Sequence, residues 1–271
     1  MAREGELKGC WALILGASSG FGRATALELA SRGMNIFGVH LDLKATLPMA
    51  DQVVADIEEM GQQALFFNSN AADARKRSRV LDKIQATLEA NGGPQTIHLL
   101  MHSLAFGTLL PFIADSSDGA ISEAQMDMTL NVMAHSLVFW TQDLVRRGLM
   151  DRGSRVFSMT SAGSHRVFRD YGAVSAAKAA LESHTRQLAV ELGPKGILVN
   201  CINAGVTDTA ALRRIPSHKR MLELALEFNP GGRMTTEQDV ADTIASLADP
   251  RIEWISGSVI FVDGGEDISS G

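Results

Sequence analysis

Seven short apolar runs alternate with six helix-patterned segments along this chain, and that alternation constrains its fold more than any other feature. The runs are 11–15, 35–40, 64–68, 97–102, 155–159, 198–202 and 258–262. Between them lie segments with apolar residues at helical spacing: 20–32, 49–60, 74–90, 123–148, 171–192 and 236–247. This order reads as successive βα units on a parallel sheet. Runs such as ALILG and ILVNCI are apolar throughout, as strands covered on both faces must be. No composition break divides residues 1–271, so one α/β domain is expected, doubly wound around a seven-stranded parallel sheet. Residues 207–229 carry no strand signal and interrupt the alternation. An insertion there reads as a helical substrate lid.

Bulk chemistry narrows the function. Hydrophobic residues make up 45% of the chain and charged residues 21%, as in an ordinary globular enzyme. A net charge of −6 gives no support for a nucleic-acid partner. The first ten residues are too charged for an apolar signal segment, and no run approaches the ~18 residues of a membrane helix. The two cysteines, Cys10 and Cys201, read as buried thiols in a reducing compartment. A cytoplasmic protein without a membrane partner is the expectation. His98 and His102 are four apart on a strand and the other histidines are scattered, so no metal site is expected. Residues 267–271 are expected to fray.

The first run leads into Leu15-GASSGFG-Arg23, which opens the first helix. Gly16, Gly20 and Gly22 would let backbone amides approach a pyrophosphate at the positive end of that helix. A dinucleotide then needs a ribose partner. His40 and Asp42 lie at the end of the second run; an acidic side chain there accepts bonds from ribose hydroxyls and repels a 2′-phosphate. That favours NADH, while Arg23 and Lys44 leave NADPH open. Asn70 and Ala71 close the third run, where adenine would stack.

Farther on, Tyr171 and Lys178 stand seven residues apart, close to two helical turns, on one face of a helix read from residue 171. A lysine beside a tyrosine would lower the phenol's pKa. The tyrosine would stabilise an oxygen that becomes negative during hydride transfer, and the lysine would hold the nicotinamide ribose.

The glycine spacing G-x-x-x-G-x-G resembles that of the short-chain dehydrogenase/reductase family, whose fold is of Rossmann type. Ketone-reducing members carry Tyr-x3-Lys, but residue 174 here is valine. The Tyr-x6-Lys pattern and the segment MHSLAFG resemble the divergent enoyl-acyl-carrier-protein reductases of bacterial fatty-acid synthesis. Many of those have a second tyrosine where this chain has Ser161. A serine stands there in the Bacillus-type branch, which the segment from Thr160 to Asn200 also resembles, and in ketone reducers.

The resemblance spans residues 8–268 and implies a site residue by residue. Tyr171, Lys178, Ser161 and Asn131 would be catalytic, with Asn131 supporting the lysine through water. The cofactor would meet Gly16, Ser18, Ser19, Gly20, Phe21, Gly22, His40, Asp42, Asn70, Ala71, Ser103, Leu104 and Ala105. It would also meet Tyr171, Lys178, Ala204, Gly205, Thr207 and Thr209. Phe106, Ser161, Tyr171, Ala210 and Leu212 would meet the substrate.

Together these imply NADH- or NADPH-dependent reduction of a trans-2-enoyl thioester carried on acyl carrier protein or CoA, in a homotetramer. Basic residues Arg213, Arg214, Lys219 and Arg220 read first as the solvated side of two short helices; the alternative is a contact with an acidic carrier protein or the phosphates of CoA. The alternatives are an enoyl-CoA reductase of secondary metabolism, a ketone or β-ketoacyl reductase, and a nucleotide-binding protein without catalysis.

Overall fold

In the computed structural model, residues 7–116, 119–215 and 217–269 are described. Seven strands form one sheet: β1 (Trp11–Leu15), β2 (Asn35–His40), β3 (Ala64–Asn68), β4 (Ile97–His102), β5 (Arg155–Thr160), β6 (Leu198–Ala204) and β7 (Val259–Val262). Their order is β3-β2-β1-β4-β5-β6-β7, with every pair parallel. The expected strands are all present, with β5 and β6 running one and two residues farther.

Strand alternation sorts side chains between two cores. From β1, Leu13 and Leu15 enter a layer with Leu81, Trp140 and Leu181. Ala12 and Ile14 enter the opposite layer with Leu29, Val53 and Ile244. These layers are built by α3 (Ala74–Asn91), α5 (Ser136–Arg146) and α6 (Gly172–Leu192) on one side, and by α1 (Gly20–Ser31), α2 (Leu47–Glu59) and α8 (Glu237–Leu247) on the other. Leu13 is fully buried, so Leu13→Ala would cost about 2–5 kcal/mol. The expectation of full cover on both faces fails at the edge strand β7, where Phe261 is 47% exposed.

One expected helix is three elements. α4 (Glu123–Leu130) passes into a π turn, Asn131–His135, before α5. The wider turn is closed by the Ser136 amide bonding the Asn131 carbonyl, and the Ser136 hydroxyl donates to the Val132 carbonyl at 2.7 Å. After β6, the expected lid contains a 3₁₀ turn, Leu212–Arg214, and α7 (His218–Phe228). The chain's described end is not frayed at residues 267–269: α9 (Glu266–Ser269) is a bonded turn of helix. Residues 270–271 lie outside the described residues. Cys201 is buried as expected, but Cys10 is only half-buried.

Candidate active site

The sheet order reverses between β1 and β4, which opens a crevice at the strand C-termini. The glycine loop lies there for steric reasons. Gly16 has φ +95°, and a Cβ on it would stand 2.3 Å from the Ser103 carbonyl oxygen. A Cβ on Gly22 would stand 2.0 Å from the Gly16 carbonyl oxygen. β1, the segment after β4 and α1 therefore close together only with glycine at both places. Above the loop, Ser19 is exposed and makes no capping bond, and α1 has no acidic residue in its first turn. Open amides at a positive helix end fit a dinucleotide's phosphates.

At the β2 end the structure joins His40 and Asp42. His40 Nδ1 lies 2.8 Å from Asp42 Oδ2, and the Asp42 amide and carbonyl bond the Asn68 side chain at 3.1 and 2.9 Å. Partial burial opposes ionisation of Asp42, but Thr46, Ser18 and His40 outweigh it and hold the carboxyl below its ordinary range. Asp42 is thus a fixed carboxylate beside the glycine loop. Farther along, the Asn70 side chain caps Ala72, and the Ala71 carbonyl accepts the Trp140 indole N–H at 2.8 Å.

Tyr171 is not on α6. It is the N-cap, with φ −102° and ψ 3°, so it reaches the site from a turn and not from two helical turns above the lysine. The preceding Asp170 takes φ +60°, a conformation aspartate tolerates better than most residues. The Tyr171 ring packs on Gly163, where a Cβ would meet it at 2.6 Å and the Ser161 hydroxyl at 3.3 Å. Phe168 stands edge-on to Tyr171 at 5.9 Å, and Phe112 covers Gly172. The sequence reading missed Gly163, Phe112 and Phe168. The small residues flanking the tyrosine, Gly163 and Gly172, were the available signal.

The expected lowering of the tyrosine pKa is overturned. Burial raises the Tyr171 pKa, and nearby Ser161 only partly opposes this. The Lys178 ammonium turns instead to the Met159 carbonyl at 2.6 Å. Burial pulls Lys178 down to about 8, against the neighbouring Cys201 and Glu182. The Ser161 hydroxyl is near enough to influence Tyr171 yet has no hydrogen-bond partner of good geometry among the described residues. A buried donor left open beside the tyrosine suits a substrate oxygen. Asn131 begins the π turn that packs against α6.

His102 lies beneath this site, fully buried, with burial and Lys178 pulling its pKa to about 3. Its Nε2 lies 2.7 Å from the Ser136 hydroxyl, which already donates to Val132, so Nε2 carries the proton.

Other expected contacts are arranged differently. The Thr209 hydroxyl accepts from the Leu212 amide at 3.1 Å and so caps the 3₁₀ turn, and the Thr207 hydroxyl donates to the Gly205 carbonyl at 3.0 Å. Phe106 and Ala210 are exposed, while Leu212 is half-buried. In the basic cluster, Arg213 pairs with Asp208 and Arg220 with Glu223.

A family model described as "Enoyl-(Acyl carrier protein) reductase" matches residues 16–266. The chain belongs to the short-chain dehydrogenase/reductase family. Its members are NAD(P)-dependent oxidoreductases. This short-chain reductase is 31% identical over 266 residues to the 1-cyclohexenylcarbonyl-CoA reductase of Streptomyces collinus, covering 94% of this chain and 86% of the relative. It is similar to the solved promiscuous reductase LugOII, which catalyzes keto-reduction at C1 during lugdunomycin biosynthesis. That match has a TM-score of 0.82 and 29% identity, and covers 97% of this chain and 99% of the other. A short chain dehydrogenase from Burkholderia cenocepacia, solved in complex with NADP, matches with a TM-score of 0.79 and 28% identity over 97% and 99% of the two chains.

Proposed function

We propose that this reductase saturates the carbon–carbon double bond of a trans-2-enoyl thioester, using NADH in preference to NADPH. The observation that carries the reading is the placement of its only tyrosine. Residue 174, where ketone-reducing relatives would have theirs, is a buried valine, and Tyr171 stands beside the open Ser161 hydroxyl. The name of the Streptomyces relative describes an unsaturated acyl-CoA, in the same sense.

The cofactor supplies hydride for the substrate's β-carbon, and the protein manages the charge that then gathers on the thioester oxygen. Its raised pKa keeps Tyr171 a neutral hydroxyl at ordinary pH, so it acts as a hydrogen-bond donor to that oxygen and not as a phenolate. Ser161 offers a second bond. Lys178 exchanges its Met159 carbonyl for the nicotinamide ribose, and Asp42 accepts from the adenosine ribose. The α-carbon takes its proton from solvent. The thioester is carried on acyl carrier protein or CoA; ion pairing within the lid's basic cluster leaves that choice open.

A second reading, ketone or β-ketoacyl reduction, is favoured by Ser161 and by the activity named for LugOII. Tyr171→Phe tests the role of the tyrosine. Cofactor affinity should stay within about two-fold while turnover of crotonyl-CoA falls roughly 10²-fold or more. Unchanged turnover in that variant refutes the role.

A further inference from the structure

We infer that two neighbouring carboxylates, Glu266 and Asp267, are positioning residues for opposite halves of the cleft. Glu266 fixes the segment after β6, and Asp267 fixes the loop that delivers Tyr171. The inference rests on the site assigned above, for either reduction.

In the sequence Asp267 begins what reads as a frayed tail, directly after Glu266. The fold returns them to the site through a turn at Gly264 and Gly265, with φ +64° and +87°. Buried Asp263 organises that turn, its carboxylate accepting the Gly265 and Asp267 amides at 2.9 Å each. α9 then sits where three parts of the cleft converge.

The Glu266 carboxylate accepts the Val206 amide at 3.1 and 3.3 Å. It lies so close to Gly205 that a Cβ there would stand 3.0 Å from it. Gly205 and Thr207, on either side of that amide, are among the residues expected to meet the cofactor. Asp267 turns the other way. Its carboxylate meets His165 Nε2 at 2.9 Å and Arg166 Nε at 3.0 Å, and its carbonyl accepts a further bond from Arg166. His165 and Arg166 begin the stretch ending at Tyr171, in which Val167 is 98% exposed and the Arg169 side chain 91% exposed. So exposed a loop has few packing contacts of its own and depends on such ties. Ser269 completes the strap by donating to the Phe228 carbonyl at 2.7 Å, at the end of the lid helix α7.

Adjacent residues with separate targets predict separable defects. Glu266→Ala should weaken NADH or NADPH binding, measured without substrate, by about five- to ten-fold, the worth of one hydrogen bond. Glu266→Gln should restore it, because its amide oxygen can still accept from Val206. Asp267→Asn should leave cofactor affinity within about two-fold. It should speed tryptic cleavage after Arg166 and Arg169 by about five-fold or more, and lower kcat more than it changes KM. Asp267→Glu should reverse part of both effects. Cofactor affinity and cleavage changing together in each variant, or neither changing, overturns the inference. The two deciding readouts, cofactor affinity and tryptic cleavage, are taken without thioester. Failure of wild-type enzyme to reduce an enoyl thioester, with the split intact, would therefore refute the enoyl reading and leave this one standing.

Discussion

At the residue scale the proposed chemistry falls to two side chains with buried polar groups, Ser161 and Lys178. Ser161 holds its buried hydroxyl beside Tyr171, near enough to oppose part of the tyrosine's shift. Ser161→Ala should lower turnover about ten-fold with little change in the midpoint of thermal unfolding; a clear fall in both would mean a structural hydroxyl. Lys178 makes a second prediction. Its pKa of about 8 lies below the ordinary lysine value, so its positive charge is lost as pH rises through 8, where Tyr171, raised above its ordinary value, is still protonated. Turnover should fall on the alkaline side near pH 8, and a profile flat to pH 10 would contradict a role for the ammonium. The same depression costs stability, fully below about pH 8 and progressively less as pH rises from there to the ordinary lysine value of 10.5, because the unfolded lysine binds its proton more tightly. The seven-residue spacing of Tyr171 and Lys178 was legible in the sequence. The direction of the tyrosine's shift was not, because burial in the folded site sets it and the spacing says nothing of burial.

Elements place these residues, and they are where local patterns mislead. Apolar alternation located every strand, because each strand's burial is written in its own residues. The helix over 123–148 read as continuous, yet the π turn at Asn131 interrupts it, since one inserted residue barely disturbs an apolar stripe. Tyr171 was read into α6 for a similar reason: an N-cap carries no periodicity. The second strand's end gives a prediction. Asp42 is fixed by His40 and Asn68 beside the glycine loop. Asp42→Ser should shift the ratio of kcat/KM values toward NADPH by about ten-fold or more, chiefly by removing repulsion of the 2′-phosphate. An unmoved ratio would place the selecting charge elsewhere. α8 begins with a capping box in which Thr236 and Asp239 bond each other's backbone amides. Thr236→Ala should cost about 1 kcal/mol in denaturant unfolding without altering cofactor preference.

The whole molecule joins a legible scaffold to a cleft assembled from remote pieces. The alternation of strands and helices marked a parallel doubly wound sheet, and the glycine loop marked the end at which we propose the cofactor binds. The return of Glu266 and Asp267 to the cleft was invisible, because nothing local ties them to residues 60 and about a hundred positions earlier. Among the described residues no helix is long and apolar enough to cross a membrane. Phe139 on α5 and Val190 on α6 remain 40% and 74% exposed, on the helices through which we propose that four copies associate. Light scattering should give the mass of four 29.1 kDa chains, and a monomer would refute that association. The central claim is the bond reduced. Crotonyl-CoA and acetoacetyl-CoA should be offered separately to the purified protein with NADH and with NADPH, and cofactor oxidation followed by absorbance. Faster oxidation with crotonyl-CoA, and with NADH over NADPH, is the predicted result. Turnover of acetoacetyl-CoA alone would contradict it and make Ser161, not the spacing of Tyr171 and Lys178, the guide to this site.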